Sequence, residues 1–213
     1  MIKLGLTQRV ESVPGRDERR DCLDQAWTSL LMQHGFLPVP LPNAASDVKA
    51  LIDPLGLEGV ILTGGNDLVS LPGATDPAPE RDDFESRLLE VCSERDLPVL
   101  GVCRGLQKLM AESAGELRPV ADHVATRHAI LARPQRGMPL ENRDEVNSFH
   151  NFGIPPDAVG RDYEAVAFSP DGWVEAVIHR SLSRWGIMWH PERPPHHDGD
   201  VKLLQALFGR HTA

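Results

Sequence analysis

The 213-residue chain is acidic, with a formal net charge of −9 at pH 7, 41% hydrophobic residues and 25% charged residues. This length and composition predict a single α/β domain over residues 1–213, with a substantial hydrophobic core. The acidic balance disfavours a nucleic-acid backbone or an anionic membrane as a partner.

The chain carries no pattern that directs it out of the cytoplasm. The amino-terminal stretch lacks the long apolar core of a signal peptide, and no apolar run is long enough to cross a bilayer. Cys22, Cys92 and Cys103 form neither a CxxC pair nor a dense disulfide framework. We therefore expect a cytoplasmic protein with free thiols.

The first half of the chain alternates apolar runs with helical patterns, which is typical of βαβ units and a mainly parallel sheet. The pattern predicts a strand over Ile2 to Thr7 and a helix over Asp17 to His34. Leu37 to Leu41 is predicted as an edge strand because it carries two prolines. A short helix over Ser46 to Ile52 then leads to the strand GVILT, residues 59–63.

A Pro-, Gly- and Asp-rich loop is predicted over residues 70–83, and apolar spacing then predicts a helix from Phe84 to Cys92. Pro98 to Val102 follows as a strand, and the next helix includes Leu106 to Met110.

Short strand-like pieces occupy residues 117–180, including a hairpin with the arms YEAVAF and WVEAVIH. WGIMWH, residues 185–190, is predicted as a final buried strand, and Val201 to Phe208 as a closing helix. The element order predicts a three-layer α/β/α fold with a mainly parallel central sheet and flanking helices.

The sequence GVCRG places Cys103 on a tight turn between a strand and a helix. It is the cysteine counterpart of the G-x-S-x-G nucleophile elbow. A helix amino terminus favours the thiolate over the thiol, and the thiolate is the attacking species. The alternative is a buried structural cysteine, which is our interpretation of Cys22 and Cys92. The strand, elbow and helix context favours a nucleophile at Cys103.

The sequence WHPER offers a base and a group to orient it. His190 and Glu192 are two positions apart, so in an extended chain their side chains lean to one side. A cysteine nucleophile in acyl chemistry needs such a pair. On its own the HPE triplet is a weak signal, because a lone histidine is more often packed or solvated. Its place at the carboxyl end of a strand strengthens the prediction.

The sequence LTGGND provides candidate backbone donors for an oxyanion. Gly64 and Gly65 let the main chain turn its N–H groups toward a substrate carbonyl, with the Arg104 amide as a second donor. An ordinary loop turn would also use two glycines.

Taken together, GVILTGGNDL, GVCRGLQ, VNSFH and HPER resemble the class I glutamine amidotransferase superfamily, in its peptidase C26 or γ-glutamyl hydrolase branch. The resemblance runs from about residue 2 to residue 208 and implies a flavodoxin-like fold. It also implies a Cys103, His190 and Glu192 triad and an oxyanion hole from the Gly65 and Arg104 amides. Residues expected to contact the glutamyl group are Gly64, Asn66, Gln107, Asn147, Ser148 and Phe149. One departure is Ala114, where related enzymes often carry the first of two adjacent glycines.

Three further stretches, GLTQRV, RDCLDQAWTSLLMQHGFLPVPLPN and HVATRH, resemble small hydrolases of bacterial capsule biosynthesis. These cleave γ-glutamyl-CDP-amidate to glutamate and cytidine diphosphoramidate. The resemblance implies a small γ-glutamyl substrate with a cytidine nucleotide as its leaving group. A diphosphate needs cations, and the candidates are His123, Arg127 and His128, followed by Arg9 and Arg81; a solvated polar loop is the alternative for residues 122–128.

Two other enzyme interpretations remain: a γ-glutamyl-GABA-type hydrolase, and a glutaminase subunit that supplies ammonia to a separate synthetase. A non-enzymatic binding protein is disfavoured because all three triad positions are filled. The sequence leaves a homodimer open. No cofactor is expected.

No metal is expected either, although HPERPPHHDGD collects His190, His196, His197 and Asp198. Their spacing matches no familiar zinc pattern, so a solvated loop is the default interpretation.

Overall fold

The computed structural model describes residues 1–133 and 137–209. Its helices are α1 Gln25–Gln33, α2 Val48–Ile52, α3 Pro79–Glu94, α4 Arg104–Glu112 and α5 Asp198–Phe208. The strands of the first half are β1 Ile2–Leu6, β2 Arg9–Ser12, β3 Arg19–Cys22, β4 Phe36–Pro40, β5 Gly59–Leu62 and β6 Val99–Val102. Those of the second half are β7 Arg118–Pro119, β8 Val124–Ala132, β9 Arg143–Phe149, β10 Phe152–Gly153, β11 Tyr163–Phe168, β12 Val174–His179 and β13 Arg184–Ile187.

One nine-stranded sheet organises the molecule, in the order β4-β1-β5-β6-β13-β12-β11-β8-β9. From β4 to β13 the neighbouring strands are parallel, and from β13 to β9 they are antiparallel. The predicted hairpin arms are β11 and β12. The turn that contains Cys103, the predicted nucleophile, lies at the carboxyl edge of the parallel half. Strand β13 joins the parallel half to the antiparallel half.

Helices cover both faces of the sheet. Successive residues of β5 enter different hydrophobic clusters: Ile61 packs with Trp27 of α1, whereas Leu62 packs with Phe84 of α3. Because neighbouring residues of a strand point to opposite faces, these clusters are the two cores of a three-layer arrangement. None of the helices in the described part of the chain has the length and apolar composition needed to span a bilayer.

Two predicted boundaries were wrong for local reasons. The helix predicted from Asp17 begins after Asp24, whose side chain accepts from the Ala26 amide and caps α1. The charged residues before it, Arg19–Cys22, pair instead with Arg9–Ser12 as a hairpin. The strand predicted over residues 185–190 covers Arg184–Ile187. Residues 188–190 lie after the strand, in an irregular bend.

Two further boundaries were also wrong: the helix predicted from Phe84 begins at Pro79, so the loop predicted over residues 70–83 ends before it, and the closing helix begins at Asp198 and not at Val201. Proline suits the first turn of a helix because its missing N–H has no partner there. The other ends shift by one or two residues.

The turn after α4 holds an alanine in a conformation that suits glycine. Ala114 has φ +55°, and a side chain on Gly115 would lie 2.8 Å from the Gly160 backbone nitrogen. Left-handed backbone costs an L-residue about 1–2 kcal/mol, part of which glycine gives back in unfolded-state entropy. We therefore expect Ala114→Gly to raise the free energy of unfolding by about 0.5–1 kcal/mol, measured by urea denaturation.

A matched control for Ala114→Gly is Ala111→Gly, in an exposed position of α4. There glycine should lower the free energy of unfolding by about 1 kcal/mol, the usual helical penalty. Equal destabilisation by both substitutions would contradict the strain at Ala114.

Candidate active site

Cys103 lies on a sharp turn between β6 and α4. It is the amino-terminal cap of α4 and has φ +52° and ψ −106°, a left-handed φ that is rare outside glycine. A side chain on Gly105 would lie 2.1 Å from the Leu62 carbonyl oxygen, and one on Gly101 would lie 2.7 Å from the Gly105 backbone. The two glycines therefore let α4 pack closely against the strands and hold the cysteine in its strained conformation.

His190 and Glu192 lie together after β13. Both are buried, and His190 Nδ1 is 2.8 Å from Glu192 Oε1. A side chain on Gly64 would lie 2.7 Å from His190 Cε1 and 3.6 Å from Cys103 Cβ, so the imidazole and the thiol converge over this glycine. Within the described residues, His190 Nε2 is buried and has no partner except the Cys103 side chain, with which the ring interacts. This nitrogen is available for proton transfer.

The electrostatic surroundings of His190 favour its charged form. Burial alone would lower the pKa of the imidazole, but a negative charge at Cys103 and the Glu192 carboxylate outweigh it and raise that pKa to about 10. These surroundings therefore favour an imidazolium at His190 at neutral pH.

Asn147 fixes the backbone of His190. Its Nδ2 donates to the His190 carbonyl oxygen at 2.9 Å, and its Oδ1 accepts from the His190 amide at 2.8 Å. Asn147 is on β9, the edge strand of the antiparallel half. This residue was expected in the glutamyl pocket, and its side-chain amide instead links a distant strand to the base.

The buried side chain of Arg81 holds the glycine loop that follows β5. Arg81 donates to the carbonyl oxygens of Thr63, Gly64 and Gly65 at 2.6, 3.1 and 2.6 Å. In a trans peptide the amide hydrogen points away from the preceding carbonyl oxygen, so the Gly65 N–H is directed away from Arg81. Gly65 has φ +85°, which glycine adopts readily. The loop geometry frees one backbone donor.

The backbone amide of Arg104, and not its side chain, is free to donate a hydrogen bond to a substrate oxygen. Arg104 is the first residue of α4, so its N–H has no acceptor within the helix. Its guanidinium is buried and paired with Asp82 and Glu85 of α3. Burial opposes ionisation of Glu85, yet Arg104 and Arg81 lower the pKa of that carboxyl to about 2. The ion-pair cluster thus fastens the start of α4 to α3.

Three of the residues expected to contact substrate have protein partners. Asn66 exchanges hydrogen bonds with the backbone of Val10, at 2.8 and 2.9 Å. Gln107 Nε2 donates to the Phe152 carbonyl oxygen at 3.0 Å, and Ser148 Oγ donates to the His123 carbonyl oxygen at 2.8 Å. In this structure these side chains bind neighbouring backbone groups.

Phe149 is exposed beside the base. Its ring meets the His190 ring edge to face at 6.0 Å, and the Arg193 guanidinium lies 4.0 Å from its centroid. Arg193 was missed in the sequence, although it is the last letter of WHPER.

The three candidate cations for a diphosphate do not lie together. Arg127 and His128 are neighbours on β8 and point to opposite sides of it, as an alternating strand requires. Arg127 pairs with Glu145 at 2.7 Å and lines a cavity of about 410 Å³, whereas His123 and His128 stack within 4.8 Å of each other on the other side. Only Arg127 is placed to meet a ligand in that cavity.

The cavity beside His190 is lined by charges of both signs. It extends from the base across β9 to the start of α5. Its basic lining residues are Arg127, Arg143, His190, Arg193, His196 and His197, and its acidic ones are Asp144, Glu145 and Asp200. Arg143 and Asp200 form a buried pair at 2.7 Å, whereas the pair of Arg127 with Glu145 is partly exposed. Arg193, which lies over Phe149, and Arg127, whose exposed pair is weak, are the arginines best placed for an anionic group.

The two weaker cation candidates have different surroundings. Arg81 is fully buried against backbone carbonyls and Glu85, so its prediction as a ligand contact was wrong. Arg9 lies against Gly65, where a side chain on the glycine would be 3.2 Å from Arg9 Cβ and Cδ. Arg9 also pairs with Glu11 at the mouth of the site.

Comparison with known proteins identifies a family and several relatives. The family model Peptidase C26 matches residues 4–192. Gamma-glutamyl-CDP-amidate hydrolase of Campylobacter jejuni is 32% identical over 195 residues, covering 89% of this chain and 90% of that protein. Gamma-glutamyl-gamma-aminobutyrate hydrolase PuuD of Escherichia coli K12 is 28% identical, covering 80% and 78%.

A solved structure supports the fold. A GMP synthase-like protein from Thermoplasma acidophilum superposes with a TM-score of 0.71 at 18% identity, covering 98% of this chain and 93% of that one. The fold predicted from the sequence, that of the class I glutamine amidotransferases, is therefore confirmed.

Proposed function

Because the chain belongs to the Peptidase C26 family, we propose that it is a cysteine-dependent hydrolase of γ-glutamyl amides. The observation that carries the proposal is the convergence of the strained Cys103 and the paired His190 over Gly64. Acyl transfer needs a nucleophile, a base and a group that orients the base, and these three lie together after adjacent strands of the sheet.

The proposed reaction proceeds through a thioester. The Cys103 thiolate attacks the γ-carbonyl carbon, and the oxyanion accepts hydrogen bonds from the Gly65 and Arg104 amides. His190 protonates the departing nitrogen, and the C–N bond breaks to leave a γ-glutamyl thioester. His190 then takes a proton from water, which attacks the thioester and releases glutamate and the free thiolate.

The proposed substrate is γ-glutamyl-CDP-amidate, cleaved to glutamate and cytidine diphosphoramidate. The Campylobacter relative is named for this activity. The cavity next to His190 supports it independently, because Arg127 and Arg193 would meet a leaving group that carries phosphates. The alternatives are γ-glutamyl-GABA, for which the Escherichia relative is named, and glutamine with a separate synthetase as acceptor of the ammonia.

Direct competition among substrates tests the proposal. We expect kcat/KM for γ-glutamyl-CDP-amidate to exceed those for γ-glutamyl-GABA and glutamine by at least about 100-fold, a difference that two or three charge-assisted contacts readily supply. A preference for either of the other two substrates would replace the proposed leaving group. Activity on none of them would contradict the hydrolase itself.

Removing the Arg127 side chain should distinguish contacts to the leaving group from contacts to the glutamyl group. We expect Arg127→Ala to raise KM for γ-glutamyl-CDP-amidate about tenfold or more, since a hydrogen bond to a charged group contributes about 1.5–3 kcal/mol. The KM for γ-glutamyl-GABA should change less than about twofold, since this substrate brings no phosphate. Arg161→Ala, at an exposed arginine outside the cavity, is the matched control and should change neither constant. Equal effects of Arg127→Ala on both substrates would refute the diphosphate contact.

Glu192 should set the alkaline limit of the reaction. His190 must be protonated to protonate the leaving nitrogen, so activity falls as pH rises through the His190 pKa of about 10. Glu192 contributes to that raised pKa, so Glu192→Gln should move the alkaline limb of kcat/KM to lower pH by about one to two units. A pH profile of kcat/KM, which reports the groups of the free enzyme, measures the shift. An unmoved limb with reduced kcat would mean that Glu192 only orients the ring.

A further inference from the structure

A second group of titratable side chains lies on the antiparallel half of the sheet and takes no part in the proposed reaction. We call it the histidine–glutamate cluster. Its members are His123, which precedes β8, His128 on β8, His150, which follows β9, and Glu175 on β12. One ligand atom from each lies within 4.8 Å of those of the others. All except His128 are buried, and the His128 side chain is only 13% exposed.

Hydrogen bonds fix the orientation of all three rings. The nitrogen that points out of the cluster faces an oxygen atom in each case: His123 Nε2 faces Asp171 Oδ2 at 3.0 Å, His128 Nδ1 faces the Ala129 carbonyl oxygen at 2.9 Å, and His150 Nδ1 faces the Phe152 carbonyl oxygen at 3.0 Å. Carbonyl and carboxylate oxygens accept hydrogen bonds, so the outer nitrogens carry the protons. In a neutral ring the inner nitrogen then presents a lone pair, and all three inner nitrogens point into the cluster.

The inner atoms do not satisfy one another. Glu175 Oε1 is 3.9, 3.6 and 3.8 Å from the inner nitrogens of His123, His128 and His150, all too long for hydrogen bonds. Within the described residues, Glu175 Oε1 and His128 Nε2 are buried without a hydrogen-bond partner. The inner nitrogens of His123 and His150 are 3.2 Å apart, at hydrogen-bonding distance, but in neutral rings with protons on the outer nitrogens neither inner nitrogen can donate. The Ser148 hydroxyl, 3.5 Å from His123 Nδ1, donates instead to the His123 carbonyl oxygen. Buried acceptors are rarely left in this state.

A proton is a poor substitute for a larger cation here. Burial, together with negative charge at Cys103, raises the pKa of Glu175 well above its usual value, and a protonated carboxyl could donate one hydrogen bond. The shortest distance from Oε1 to a ring nitrogen is nevertheless 3.6 Å. One proton would also leave the other lone pairs facing each other. A central cation would meet all four atoms at once.

The spacing suits a tetrahedral metal ion. Zinc binds imidazole nitrogens and carboxylate oxygens at about 2.0–2.2 Å, which places ligand atoms roughly 3.3–3.5 Å apart. Four of the six separations, from 3.2 to 3.9 Å, are already within about half an ångström of that range. The outer contacts match the second set of partners usual at zinc sites, where a carboxylate or backbone carbonyl accepts from the ring nitrogen that does not bind the metal.

We propose that the histidine–glutamate cluster binds one divalent transition-metal ion, preferably zinc, through three imidazoles and one carboxylate. With four protein ligands the ion has no open position, so its role is structural. It would tie β8, β12 and the end of β9 together. The same strand β9 carries Asn147, which holds the backbone of His190. The site revises the expectation of no metal, and its residues are separate from the HPERPPHHDGD stretch considered in the sequence.

Metal content tests the proposal without reference to activity. The chain, produced with no polyhistidine tag in zinc-supplemented medium and then dialysed, should contain about one zinc per molecule by plasma mass spectrometry. Removal of the metal with a strong chelator should lower the melting temperature by about 5–10 °C, and adding zinc should restore it. Cobalt(II) added to the stripped protein should give the visible absorption bands of a tetrahedral site.

Matched variants locate the ion. His128→Gln, at the least buried ligand, should lose bound zinc and the cobalt bands, and His150→Ala should do the same. His196→Gln, at an exposed histidine outside the cluster, should keep both. Circular dichroism checks that each variant folds. Absence of zinc and of cobalt bands in the folded, unaltered protein would overturn the proposal, as would metal binding retained in folded His128→Gln and His150→Ala but lost in His196→Gln.

Discussion

Cys103→Ala is expected to lower kcat/KM for every γ-glutamyl amide by at least about 10⁴-fold, because the proposed covalent step depends on this thiol. The described cysteines are otherwise poorly suited to attack: burial raises the pKa of the Cys92 thiol to about 12 and raises that of Cys22 as well. Steady-state hydrolysis measures the loss. A glutamine-analogue alkylator such as 6-diazo-5-oxonorleucine should label Cys103 in the unaltered chain and nothing in the variant.

The strained backbone of Cys103 gives this prediction an internal control. A φ of +52° costs alanine more free energy than glycine, so Cys103→Gly should be more stable to urea than Cys103→Ala by about 1 kcal/mol. Both should be inactive. Substantial hydrolysis by either folded variant would refute the covalent mechanism, and a less stable glycine variant would show that the turn is not strained.

Arg81→Ala is expected to lower the free energy of unfolding by about 3–5 kcal/mol, because it removes one of the two arginine partners of the buried Glu85 carboxylate and the donor to three carbonyl oxygens. Arg81 contacts Glu85 at 2.9 Å and the carbonyls of residues 63 to 65 at 2.6–3.1 Å. Urea denaturation measures the loss. Kinetics below the new melting point should also show a reduced kcat, because the Gly65 donor is no longer held in place.

Arg87→Ala is the matched control for Arg81, since it changes the same residue type on the same helix. Arg87 is partly exposed, pairs with the exposed Asp83 and donates to the Ser46 carbonyl oxygen at 2.6 Å, so its loss should cost about 1–2 kcal/mol, less than that of the fully buried Arg81. Arg81→Lys should fall between the two, as a lysine ammonium has fewer donors than the guanidinium fork. A stable and fully active Arg81→Ala protein would mean that the glycine loop holds its shape unaided.

The parallel half of the sheet and the nucleophile turn were predictable because their signals are local. Apolar runs and glycines around Cys103 are adjacent in sequence, and His190 and Glu192 are only two residues apart. The placement of Arg127 away from His128 was also within reach, because neighbouring residues on a strand face opposite ways.

The buried polar contacts were not predictable in the same way. Arg81 is in a charged stretch of α3 that reads as solvent-exposed, and arginine is almost never fully buried unless it is paired. Apart from Glu85 on the same helix, its closest partners are carbonyl oxygens of the loop that follows β5. Glu175 and His150 meet through strand order, and β8 and β9 carry register shifts that no alternation rule places in advance. These buried contacts therefore depend on long-range strand pairing and packing, which local sequence patterns do not predict.

The two hydrogen bonds between the Asn147 side chain and the His190 backbone have a consequence for partial unfolding. β9 is the outermost strand of the sheet, and edge elements open at lower free energy than the core. When β9 detaches, the imidazole loses its support while β5 and β6 remain paired in the interior. Inactivation and global unfolding are then separate events: the enzyme loses its catalytic geometry in mild denaturant while most of its amides stay protected from exchange.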